Sequence, residues 1–140
     1  METVDWRTFA SQQPDLATHA EGRLTAGISY LSTVRKDGFP RVHPVGLHIR
    51  DGQLLVPMLP TSPKGRDLER TGIYAAHCAV EDTMGGDGEV LVTGLAERTT
   101  VDDDFAARGW IAFHLKVGEV QAVQHTAESD RPQATRWRAP

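Results

Sequence analysis

The sequence is poor in cysteine, in aromatics and in lysine, and it carries no excess of basic charge. Cys78 is the only cysteine, so no disulfide can form within the chain and the stapled scaffolds of small secreted domains are excluded. A lone thiol points to a reducing, cytoplasmic setting. The start, METVDWRTFASQQPD, carries acids and no apolar run, unlike a signal peptide. No window approaches the ~18 consecutive apolar residues of a membrane span. The 15 Lys and Arg are outnumbered by 19 Asp and Glu, for a net charge of −4, which removes the basic footprint of a nucleic-acid or membrane-surface binder. Six histidines, His19, His43, His48, His77, His114 and His125, show neither His-x₃-His nor Cys-x₂-Cys spacing, so no metal site is expected. P-loop and dinucleotide fingerprints are missing, which argues against nucleoside triphosphate and NAD folds. There is no credible nucleophile triad, and His77 with Cys78 cannot form a dyad because adjacent strand residues point to opposite faces.

What is present is punctuation. Glycine and proline, 13 and 8 of 140 residues, make up about 15% of the chain against a usual ~12%. They cut its middle into short apolar runs that read as strands: 28–34, 42–49, 54–58, 73–80, 89–96, 112–116 and 120–125. Asp37-Gly38 and Asp51-Gly52 supply the positive φ of tight hairpins, so the first three strands are expected to form an antiparallel meander. A helix carrying Trp6 and Phe9 comes first, followed by one that starts after Gln13 with Pro14 in its first turn and runs toward Arg23. Another is expected over 101–108, with Thr100 as N-cap and Asp102, Asp103 and Asp104 complementing the helix dipole.

Several strands are apolar on both faces: Val42 and Pro44 alternate with Val45 and Leu47, and Val90 and Val92 with Leu91 and Leu95. Both faces are therefore expected to be covered. In a chain of 15.4 kDa that predicts a single mainly β domain, a closed or half-closed barrel whose outside is capped by helices or by a second copy in a homodimer. Residues 1–23 form the helical lead, 24–125 the barrel and 126–140 a tail that Trp137 docks back. Glu81, Asp82, Asp87 and Glu89 bracket Met84-Gly85-Gly86, which reads as a solvated hairpin tip, with a lid over a cofactor as the alternative.

The most informative stretch is Pro60-Thr61-Ser62-Pro63-Lys64-Gly65-Arg66-Asp67-Leu68, directly after a strand. Ser62 followed by Pro63 is a helix start in which the hydroxyl caps and the proline loses nothing. Free backbone N–H groups, the Ser62 hydroxyl, Lys64 and Arg66 within one turn would suit a terminal phosphate. The plainer reading is a capped surface helix with solvated cations, in a dimeric scaffold without a cofactor.

This order of features, the Arg35-Lys36-Asp37-Gly38 turn, Pro40-Arg41-Val42-His43-Pro44, the Asp51-Gly52 turn and Ser62-Pro63-Lys64 with Asp67-Leu68, resembles the FMN-binding split β-barrel superfamily that includes pyridoxamine 5′-phosphate oxidase. The resemblance spans about residues 24–125, and Arg136-Trp137-Arg138-Ala139-Pro140 is similar to the superfamily's C-terminal segment. It implies a mainly antiparallel split barrel of six or seven strands with short peripheral helices, and it places Arg41, Ser62 and Lys64 on the flavin phosphate, with Arg66 standing in for a second Arg that is Pro63 here. Val42, His43, Met58 and Leu59 would then lie beside the ring system or ribityl chain, Glu89 where relatives present a glutamine across the dimer, and Trp137 against the flavin. The true oxidase's C-terminal Arg-x-His motif is absent, so the resemblance implies a short relative that moves hydride to or from a small molecule. Within the same fold the deazaflavin cofactor is the alternative to FMN, haem on one histidine is a third possibility, and a non-catalytic cofactor binder would use the same residues.

Overall fold

The computed structural model describes residues 1–81, 88–124 and 133–140. Asp82, Asp87, the Met84-Gly85-Gly86 turn, His125 and residues 126–132 lie outside the described residues. The chain opens with α1 (Trp6–Gln12), whose Asp5 carboxylate caps the Thr8 N–H, and α2 (Pro14–Thr25), with proline at its first turn. Strands β1 (Ile28–Val34), β2 (Pro40–Gly46), β3 (His48–Arg50) and β4 (Gln53–Met58) follow, then α3 (Pro63–Thr71), β5 (Ile73–Cys78) and β6 (Glu89–Thr99). Last come α4 (Asp103–Ala107), β7 (Ile111–Gln124) and β8 (Gln133–Arg138).

All strand pairs are antiparallel, in the order β2-β1-β5-β6-β7-β4-β3 with β8 added on β7. The fold is a mainly β, curled split-barrel sheet with short helices, the half-closed barrel of the patterning in the split form that the resemblance implies. Three details differ from expectation. The run 42–49 is not one strand of a meander: it bends at Leu47, so that β2 pairs with β1 while β3 pairs with β4. The first and last strands of the sheet order are thus consecutive in the chain, and Leu47, only 2% exposed, is drawn into the core between them. The runs 112–116 and 120–125 are one strand, β7, because Gly118 is an extra residue at a bulge opposite Thr93 and Gly94, not a breaker. The bulge resets the alternation: Phe113, Leu115 and Val117 point inward before it, Val120 and Ala122 after it. Finally, Asp102 rather than Thr100 caps α4, its carboxylate accepting from the Phe105 N–H at 3.0 Å.

Inside the curl, Leu31, Val45, Leu54, Val56, Val90, Val92 and Leu115 pack with Trp6, Phe9 and Leu24 from the two leading helices. The other face of β1, β2 and β5 is bare. Ile28, Tyr30, Val42 and Ile73 are 57%, 45%, 65% and 50% exposed there. The apolar pattern on both faces therefore records one face filled by the core and one that this single chain leaves open.

Candidate functional site

Strand β4 delivers the chain to the start of α3. There the Ser62 N–H donates to the Leu59 carbonyl at 3.0 Å, and Pro63 takes the first helical position. Ser62 has the extended backbone of an N-cap, yet its hydroxyl caps nothing. It instead accepts from the Lys64 ammonium at 2.7 Å. The physical reason is burial. Lys64 is only 9% exposed and takes the Ser62 hydroxyl as its acceptor, while the Gly65 N–H is already met by the Ser62 carbonyl at 3.0 Å. Desolvation also holds the Lys64 pKa below its ordinary value.

Around the corner, Asp67 organises the cations. It is 3% exposed and accepts from the Thr33 hydroxyl at 2.7 Å, from Arg41 Nε at 2.8 Å and, more loosely, from Arg70 Nη2 at 3.4 Å. Burial pushes the Asp67 carboxyl up, but the bonds from Arg41 and Thr33 and the Arg41 charge outweigh it and leave the carboxyl below its usual value. Arg70 also donates to the Val34 carbonyl. Above this network opens a cavity of about 500 Å³ whose wall carries Arg35, Lys36, Arg41, Arg66 and Arg70 against Asp37 and Asp67. Asp37 is engaged by Arg35 at 2.8 Å. Such a surplus of donors suits an anion.

The predicted residues divide. Arg41 and Arg66 share the cavity wall, while Ser62 and Lys64 form a bonded pair at the helix start beside it. Leu59 is exposed in the same turn. Val42 and His43 are both exposed but lie on opposite faces of β2, Val42 with the bare face and His43 paired to inward Leu31. Met58 belongs to the core, packed so closely beneath α3 that a Cβ on Gly65 would sit 3.0 Å from its sulfur. Glu89 faces His77 at 3.7 Å at the start of β6. Trp137 is half-buried, its ring 4.9 Å from that of Phe9 on the inner side of the sheet against α1. Sequence reading missed Thr33, Asp67 and Arg70 as members of the corner. The i, i+3 spacing of Asp67 and Arg70 on one helix was the signal available.

A second cavity of about 470 Å³ opens on the bare face, apolar and lined by Val34, Pro40, Ile73, Ala75, Leu95 and Met1 among others. Among the described residues no three His, Cys, Asp or Glu side chains gather as metal ligands. None of the described helices is long and apolar enough to cross a membrane.

No family model matches the sequence, and no curated protein does. Solved structures match well. A PhzG from Burkholderia lata 383, solved with tetrahydrophenazine-1-carboxylic acid, superposes with a TM-score of 0.61 at 13% identity over 96% of this chain and 93% of its own. A Clostridium acetobutylicum protein related to general stress protein 26, of the pyridoxinephosphate oxidase family, gives 0.60 at 9% identity over 94% and 95%. A haem binding protein from Mycobacterium smegmatis gives 0.60 at 18% identity over 83% of this chain, which spans 56% of that protein. Identities this low speak to architecture alone, and on that level the result is plain: the chain has the split β-barrel fold of the pyridoxamine 5′-phosphate oxidase-like proteins.

Proposed function

We propose that this protein is a flavin-binding oxidoreductase that holds FMN by its phosphate at the start of α3 and works as a homodimer on an unidentified small molecule. The observation that carries the reading is Lys64: a buried ammonium whose one hydrogen-bond partner among the described residues is the Ser62 hydroxyl, beside a cavity rimmed by five cations and two acids. A dianionic phosphate would supply the missing counter-charge. In this reading Lys64 and Ser62 bind the phosphate from the helix start, and Arg41 and Arg66 bind it from the cavity wall with charge-assisted bonds. When bound, the flavin ring supplies the hydride chemistry. The side chains bind and orient it, and none of them need act as a nucleophile. The second copy would cover Tyr30, Val42 and Ile73, whose exposure leaves an apolar face open.

The test is the absorbance spectrum of the purified protein before and after FMN, followed by titration of the Arg41→Ala/Lys64→Ala double variant. A flavin spectrum, with FMN affinity at least ~100-fold weaker in the variant and an unchanged far-ultraviolet circular dichroism, is expected, the melting temperature without ligand falling because buried Asp67 loses Arg41. A protein that binds no flavin, or a variant of undiminished affinity, overturns the reading. A Soret band transfers it to haem.

A further inference from the structure

The geometry points to Asp67 as the positioning residue of the phosphate corner, the group that holds Arg41 and Arg70 in place for a bound phosphate. This rests on the corner being a phosphate site. A carboxylate is an odd neighbour for a bound anion, since its charge repels the ligand. Asp67 is nonetheless almost fully buried and takes a donor from three separate elements: Thr33 on β1, Arg41 on β2 and Arg70 on α3 itself. Its bond to Arg41 is made through Nε, which leaves both terminal nitrogens of that guanidinium to the cavity its side chain lines. Arg70 is tied down through one terminal nitrogen, Nη2, which reaches both the same carboxylate and the Val34 carbonyl.

Long cationic side chains that are free to wander lose rotamer entropy when they close on a ligand. Held in advance by Asp67, two of the five cations meet the phosphate without that loss, which is the advantage of preorganisation. Thr33 completes the arrangement: it is 2% exposed and spends its hydroxyl proton on Asp67, so the carboxylate cannot swing toward the ligand.

Two roles for Asp67 predict opposite results. As a mere counter-charge, its removal adds one unit of positive charge to the cavity and tightens anion binding. As a positioning residue, its removal frees Arg41 and Arg70 and loosens it. The experiment is calorimetric titration of FMN, riboflavin and inorganic phosphate into the full chain and into Asp67→Asn, Asp67→Ala and Thr33→Val. The riboflavin-to-FMN ratio of dissociation constants isolates the phosphate contribution, and unchanged riboflavin binding reports an intact fold. The positioning role requires this ratio to fall about thirtyfold or more in both Asp67 variants and by a smaller factor in Thr33→Val. An unchanged or larger ratio in Asp67→Asn overturns it while leaving the phosphate site standing. If the unmodified protein shows no preference for FMN over riboflavin, the reading of the previous section fails. The phosphate titration then decides on Asp67 alone: weaker phosphate binding in Asp67→Asn supports the role, and equal, tighter or absent phosphate binding overturns it.

Discussion

At the scale of single residues, the chain repeatedly solves the problem of a charge that cannot reach water by sharing one acceptor among several donors. Asp67 does so in the cavity wall, and Glu119 does so on β7. Glu119 is 7% exposed and accepts from Arg136 at 3.0 Å, from Arg138 at 2.8 Å and from Gln121. The bonds from Arg136, Gln121 and Arg138 hold its carboxyl down at about 2, against an ordinary 4.5. A carboxyl with a lower value folded than unfolded adds stability at neutral pH and loses it as the pH falls from about 4.5 through about 2. Thermal melts across that range should therefore show a loss that Glu119→Gln flattens, with the variant about 1 kcal/mol less stable at neutral pH, since both arginines are more than half exposed and screened. Identical pH profiles would remove Glu119 from the account. Of this residue-level organisation the sequence disclosed the cations Arg41, Lys64 and Arg66 but not the acceptor that holds Arg41. Asp67 reads in one dimension as an ordinary helix acid, and only the approach of β1 and β2 reveals what it holds.

At the scale of elements, the hairpins were the most legible feature and the strand ends the least. Asp51 and Gly52 have φ of +53° and +74°, and Gly38 +87°, as Asp-Gly pairs between apolar runs demand. The bend at Leu47 stays hidden because a run that is apolar on both faces keeps no phase by which a kink would show. At Gly118 the alternation does shift, from Phe113, Leu115 and Val117 to Val120 and Ala122, a signal concealed by reading the glycine as a breaker. At the bulge the two backbones nearly touch. A Cβ placed on Gly94 would lie 1.9 Å from the Lys116 carbonyl oxygen and 3.0 Å from the Gly118 nitrogen. Gly94→Ala should accordingly cost about 3 kcal/mol or more, or prevent folding, as judged by denaturant unfolding. Gly22 is the control: within α2, with nothing inside 4 Å of an added Cβ, its replacement by Ala should stabilise by about 0.5–1 kcal/mol. Comparable losses at both positions would mean that the backbone approach at Gly94 carries no special weight.

At the scale of the whole molecule, the two-faced apolar pattern and the bare face of β1, β2 and β5 make one argument about assembly. Val42→Glu puts a charge in the middle of that face without touching the core, since Val42 is 65% exposed in the single chain. If two copies pair there, light scattering should give twice 15.4 kDa for the unmodified protein and a single chain's mass for the variant, with the far-ultraviolet circular dichroism unchanged. A single-chain mass for the unmodified protein would assign the face to something else. The barrel class was readable in advance because composition, turn chemistry and patterning agree. The open face was not, because a pattern records that a side is apolar and never what will cover it.

The bend at Leu47 also bears on how the molecule is reached in time. Closing a curled sheet ordinarily means bringing its two end strands together from distant parts of the chain, which is slow because a long loop must be closed first. Here the end strands β2 and β3 flank one residue, and each meets its partner across a short turn, β1 by the loop at 35–39 and β4 by Asp51-Gly52. Residues 28–58 can thus form as a local unit that already contains both rims of the finished barrel, leaving β5, β6 and β7 to fill a frame rather than to build one. Destabilising substitutions at Leu47 should slow refolding, whereas equally costly ones in β8 should mainly hasten unfolding.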